Sequence, residues 1–148
     1  MNLPKTILVP TDFSDSAESA LDYAVALAGK LGATVHLLNA ITIPALGVPE
    51  LGVAVASTMM ESAVTANQAE LDRLAARREP AKITTLLRTG DARDVIVEAA
   101  KEVHADLIVM GTHGRRGVKR ALLGSIAEGV LRTAPCPVLT IRQHPPVL

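Results

Sequence analysis

Apolar side chains recur along the chain in two alternating periods. Lys5 to Val9 is a short apolar run closed by Pro10, as expected of a strand. Ser14 to Ser16 then offer helix caps, and apolar residues at 17, 20, 21, 24, 27, 28 and 31 mark one helix face until Gly32 stops it. Thr34 to Asn39 is β-branched and apolar, a second strand. Residues 41 to 52 carry Pro44, Gly47, Pro49 and Gly52 and are expected to be irregular, whereas the stretch from there to about Arg78 has neither proline nor a further glycine and suits a long helix. Lys82 to Arg88 is a third strand. Asp91 is placed to cap a helix whose apolar face is Val95, Ile96, Ala99, Ala100 and Val103. Asp106 to Met110 is almost wholly apolar, as a strand covered on both faces should be. A glycine-rich loop, a helix near 125 to 133 and a last strand over Pro137 to Arg142 complete the pattern.

Five strands and four helices in alternation imply an α/β fold, because parallel strands need helix-length crossovers and those crossovers are right-handed. The expected architecture is a doubly wound, five-stranded parallel sheet of order 3-2-1-4-5 with helices on both faces. Ligands of such sheets sit beyond the carboxyl ends of strands where the connections diverge, here the loops after the first and fourth strands. The 148 residues fit one domain, 1–148, with no internal repeat or linker.

Composition narrows the function. Fifteen basic residues balance fifteen acidic ones, so no global field attracts nucleic acid or anionic lipid. The charge is nevertheless uneven: beyond Thr112, six basic residues (Arg115, Arg116, Lys119, Arg120, Arg132, Arg142) face one acid, Glu128, which favours an anionic ligand near that end. Phe13 and Tyr23 are the only aromatics, too few for base-stacking platforms or a flavin sandwich. The most apolar stretch, Ile41 to Met60, is broken by Pro44, Gly47, Pro49, Glu50 and Gly52, so no membrane span is expected. A single cysteine, Cys136, and an amino-terminal segment unlike a secretory signal point to the cytoplasm.

The residues with most chemical promise follow the fourth strand. Gly111-Thr112-His113-Gly114, nine intervening residues and Gly124-Ser125 give the spacing Gly-x2-Gly-x9-Gly-Ser. Bare glycines let backbone amides approach phosphate oxygens, and the first amides of the following helix are unpaired donors. An exposed helix end contributes only about 0.3–1 kcal/mol, so tight binding needs several amides and a contribution from Arg115, Arg116, Lys119 or Arg120. The Walker loop is excluded, since Gly124 to Gly129 is followed by Val130, and no Gly-x-Gly-x-x-Gly follows a strand.

The chain resembles the nucleotide-binding branch of the universal stress protein family. The resemblance is carried by Val9-Pro10-Thr11-Asp12-Phe13-Ser14, by Asp106 to Gly114, by Leu123-Gly124-Ser125 and by Ala134-Pro135-Cys136-Pro137-Val138-Leu139, and it spans nearly the whole chain. It implies a Rossmann-like sheet, with Gly111, Gly114, Gly124 and Ser125 around the phosphates and ribose and Asp12 near the nucleoside. Backbone groups and an apolar wall for adenine are implied at Ala40 and Ile41. Pro10, Thr11, Met110, Thr112, His113, Arg115, Gly117 and Ile126 complete the candidate nucleotide-binding set. ATP or another adenine nucleotide is the implied ligand, with magnesium or manganese beside the phosphates, although no separate carboxylate cluster for a metal stands in the sequence. The family also implies a homodimer through the last strand, Val138 to Ile141, which would cover an exposed edge.

Structural readings compete at several positions. Asp12 can cap a turn, and Ser125-x-x-Glu128 has the form of a capping box. His113 has no orienting acid or nucleophile in view, so no catalytic residue is assigned and hydrolysis is expected to be slow or absent. Cys136 reads as a packed, inert thiol, and His36, His104 and His144 lack metal-ligand spacing. A phosphohydrolase or phosphotransferase using the same loop, and a nucleotide-free dimeric interaction protein, are the alternatives. A phosphoacceptor receiver fits poorly, because the third strand ends in Arg88-Thr89-Gly90 without an aspartate.

Overall fold

The computed structural model describes residues 2–42, 52–113 and 123–143. Its elements are β1 (Thr6–Pro10), α1 (Asp15–Leu31), β2 (Thr34–Ile41), α2 (Gly52–Ala76), β3 (Ile83–Thr89), α3 (Ala92–Glu102), β4 (Leu107–Gly111), α4 (Ser125–Thr133) and β5 (Val138–Ile141). The five strands form one parallel sheet of order β3-β2-β1-β4-β5, the expected doubly wound topology. Most of the irregular segment expected after Ile41 falls on 43–51, and the centre of the glycine loop on 114–122; both lie outside the described residues.

Because successive strand residues point to opposite faces, each central strand feeds two cores. Ile7 and Val9 of β1 join Val35, Leu37, Leu107 and Val109 under α1 and α2, where Ala20, Leu21, Leu71 and Leu74 close over them. Leu8, Leu38, Ile108 and Met110 face the other way, under Val95, Ile96 and Ala99 of α3 and Ala127 and Val130 of α4. Small residues on α1 (Ala20, Ala24, Ala28) let that helix lie close to the sheet.

Local chemistry sets the helix ends. Ser14 caps α1 by accepting the Ala17 amide at 3.2 Å, and Gly32 closes it in the left-handed region at φ 69°. Asp91 caps α3 by accepting the amides of Arg93 and Asp94, as expected. The Arg93 guanidinium, with those amides, holds the Asp91 carboxyl below its ordinary range. Arg78, just past α2, donates to Asp22 at 2.9 Å and Glu18 at 3.2 Å and ties that end of α2 to α1.

β2 runs to Ile41, two residues past the expected Asn39, because it pairs with β3 as far as Thr89. β5 is an edge strand with all four residues half-buried. No helix among the described residues is long and apolar enough to cross a membrane.

His36 sits half-buried in β2, its Nδ1 without a hydrogen-bond partner. Burial therefore holds its pKa below the ordinary value. Between the folded and unfolded pKa values the unfolded chain binds more protons, so His36 costs stability as pH falls below about 6.5. Urea midpoints should decline from pH 7 to pH 5, and His36→Leu should make that decline shallower.

Candidate functional site

At the carboxyl edge of the sheet, β1 and β4 lie side by side while their connections leave toward opposite faces. There the ends of β1, β2 and β4 and the first turns of α3 and α4 border a cavity of about 680 Å³, a size suited to a small-molecule ligand. Pro10, Thr11 and Asp12 form one side and Met110, Gly111, Thr112 and His113 another. Gly124, Ser125 and Ile126 present the start of α4, and Ala40 of β2 lies at the base with Leu38.

The loop after β1 is held by an interlocking set of bonds. The Thr11 amide donates to the Leu38 carbonyl at 2.7 Å, its hydroxyl accepts from the Phe13 amide at 3.1 Å, and the Asp12 carboxylate accepts from the Ser14 amide at 2.9 Å. Asp12 thus caps the turn while Ser14 caps the helix, and Asp12 still borders the cavity. Phe13 pays for this path with φ 67°, a left-handed conformation that costs a non-glycine residue about 1–2 kcal/mol. Its ring packs against the core beneath α1, which offsets that strain.

The other lip is set by α4. Its N-cap is Gly124, and no side chain caps it, so the capping-box reading of Ser125 and Glu128 is corrected. The reason is register: Ser125 is already the first helical residue, and Glu128 turns outward to Arg132 at 2.9 Å. The first amides of α4 therefore keep their donor capacity at the cavity mouth. The Gly124 amide donates to the Thr112 carbonyl at 2.7 Å and anchors this helix start to the end of β4. His113 lies 2.9 Å from the Thr112 hydroxyl through Nδ1, while its buried Nε2 has no partner.

Gly111 is required for a packing reason. A Cβ there would meet the Ser16 hydroxyl and come within 2.9 and 3.0 Å of the Ser16 backbone carbon and oxygen. The first turn of α1 thus rests directly on the end of β4, and only a residue without a side chain fits between them.

Of the other candidates, Gly114, Arg115 and Gly117 lie outside the described residues, as do Arg116, Lys119 and Arg120. Ile41 does not line the cavity. It is buried, and strand alternation turns its side chain away from the face that carries Leu38 and Ala40. Its carbonyl instead accepts the Gly90 amide at 2.9 Å. Sequence reasoning missed Ala17, Leu38, Ala92, Ile96, Leu123 and Ala127, which all line the cavity. The helical spacing marks Ile96 only as core; the signal for its place at the cavity is that α3 begins at the same sheet edge where β3 ends. Cys136 does not line the cavity; it is half-buried, its thiol pushed up by burial and by the Asp106 carboxylate. Among the described residues no group of three or more metal-ligating side chains is assembled.

The Universal stress protein family profile matches residues 4–142. The chain belongs to the universal stress protein family. Universal stress protein MJ0531 of Methanocaldococcus jannaschii is 37% identical over 145 residues, covering 96% of this chain and 84% of the relative. The solved structure of MJ0577, from the same organism, superposes with a TM-score of 0.84 at 28% identity, covering 95% of this chain and 97% of that one. A universal stress protein solved in complex with cAMP superposes with a TM-score of 0.69 at 27% identity, over 97% of this chain and 100% of that one.

In this universal stress protein, Gly111→Ala forces α1 away from β4. The expected cost is about 1–3 kcal/mol of stability, the usual penalty of overpacking, read as a lower urea midpoint with an unchanged slope.

Proposed function

We propose that this universal stress protein binds ATP or a close adenine nucleotide in the cavity at the carboxyl edge of the sheet. Nucleotide occupancy then serves a regulatory role in the cytoplasm, with slow or no hydrolysis. The observation that carries this reading is the pairing of two surfaces in one cavity: uncapped amides at the start of α4 and an apolar wall of Leu38, Ala40, Ile96 and Met110. The amides suit phosphate, and the wall suits the flat, largely apolar face of a purine. The Gly-x2-Gly-x9-Gly-Ser spacing and the cAMP complex of a relative support the same ligand class. In this reading His113, on the cavity lining, contributes to holding the phosphates.

Binding is favoured over turnover because, among the described residues, His113 is the only imidazole lining the cavity, and its partner is the Thr112 hydroxyl rather than a carboxylate. Among the described residues Asp12 is the only carboxylate lining the cavity, so magnesium or manganese would be held mainly by the phosphates themselves. The half-buried edge strand β5 supports a homodimer through Val138 to Ile141.

ATP with magnesium at a hundredfold excess over its Kd should stabilise the protein by about 2.7 kcal/mol, seen as a rise in Tm of several degrees. No shift with millimolar ATP, ADP, AMP or cAMP would overturn the reading. His113→Ala should weaken ATP binding more than adenosine binding, measured by calorimetry, since adenosine offers His113 no phosphate.

A further inference from the structure

We infer that Asn39 and Asn67 are positioning residues of this cavity, and that they couple the docking of α2 to ligand affinity although α2 does not line the cavity. The inference rests on the nucleotide reading above. Asn39, on β2, is 4% exposed, and its Nδ2 donates to the Thr11 carbonyl at 2.8 Å. A carbonyl can only accept, so the amide orientation is fixed and Oδ1 is left pointing away from Thr11. Asn67, on α2, supplies the donor it needs at 2.9 Å. The chain of bonds runs from α2 to Asn39 to Thr11, and Thr11 and Asp12 border the cavity.

A buried amide used only to satisfy Thr11 would leave its own oxygen orphaned, a cost that Asn67 removes. α2 depends on this contact in turn. Among its described residues before Leu71 none is fully buried, and Val55, Met59 and Val64 are exposed on its amino-terminal half. Leu71 and Leu74 pack its other half into the core, and beside Asn67 the Gln68 amide reaches the Thr85 hydroxyl at 3.2 Å. The Asn67 bond is therefore where the loosely held part of α2 meets the binding loop. A ligand that fixes Thr11 and Asp12 strengthens the bond, and a firmer α2 raises ligand affinity by the same factor.

The test uses ATP with magnesium and the full chain. Asn67→Ala should weaken ATP binding about fivefold or more, while the same change in an Asn39→Ala background should have no further effect. Unfolding midpoints recorded in parallel separate lost stability from lost affinity. Hydrogen exchange on the unaltered protein provides a measurement free of variants: ATP should slow exchange of α2 amides around Asn67, and Asn67→Ala should abolish that protection. Unchanged affinity in Asn67→Ala, or ATP binding without protection of α2, overturns the coupling alone. Failure of the unaltered protein to bind ATP removes the nucleotide reading and this inference with it.

Discussion

The carboxyl edge of this sheet is organised by the contact between the first turn of α1 and the end of β4. Gly111 has no room for a Cβ because the Ser16 backbone occupies that space. This approach brings the turn after β1 and the turn after β4 to the same crevice. The same closeness buries the Ser16 hydroxyl without a partner, a local cost accepted for the packing around it.

Phe13 takes a left-handed backbone conformation between Asp12 and Ser14, and three of its neighbouring polar groups are tied into short-range bonds. At the opposite edge of the sheet the bonds are of another kind: Asp106 accepts the amides of Lys5 and Thr6 at 2.9 and 3.1 Å and locks β4 to the start of β1. One edge of the sheet is thus fastened by long-range bonds between the starts of neighbouring strands, while the other opens into the cavity. Such a division is common where a rigid scaffold positions a binding loop.

The elements were legible in the sequence because period and punctuation agree. Apolar residues at helical spacing between Ala17 and Leu31, with Ser14 and Gly32 at either end, specify α1 without tertiary information. The fully apolar β4 likewise announced a strand covered on both faces. What the sequence concealed depends on register and on contacts distant along the chain. One residue decides whether Ser125 is a cap or the first residue of α4, and one residue of strand alternation separates Ala40, at the cavity, from Ile41, buried away from it. The glycine motif begins at the edge of β4, yet the demand for glycine at 111 comes from Ser16, almost a hundred residues earlier. Asn39 gave no local signal, since an asparagine in a strand has meaning only once Thr11 and Asn67 are known to flank it.

The balance of forces at the cavity bears on what kind of protein this is. A helix terminus offers a phosphate about 0.3–1 kcal/mol when exposed. An aromatic ring system burying roughly 150 Å² gains about 4 kcal/mol at about 25 cal/mol per Å². On the nucleotide reading, the apolar wall of Leu38, Ala40 and Ile96 therefore supplies most of the affinity, and the α4 amides with His113 tell phosphorylated ligands from bare nucleosides. Affinity held on the base is uniform between ground and transition states, so it strengthens binding without accelerating phosphoryl transfer. On the same reading the cavity holds its ligand rather than turning it over, and the hydrogen bonds from Thr11 through Asn39 to α2 are the path by which occupancy would be felt outside the site.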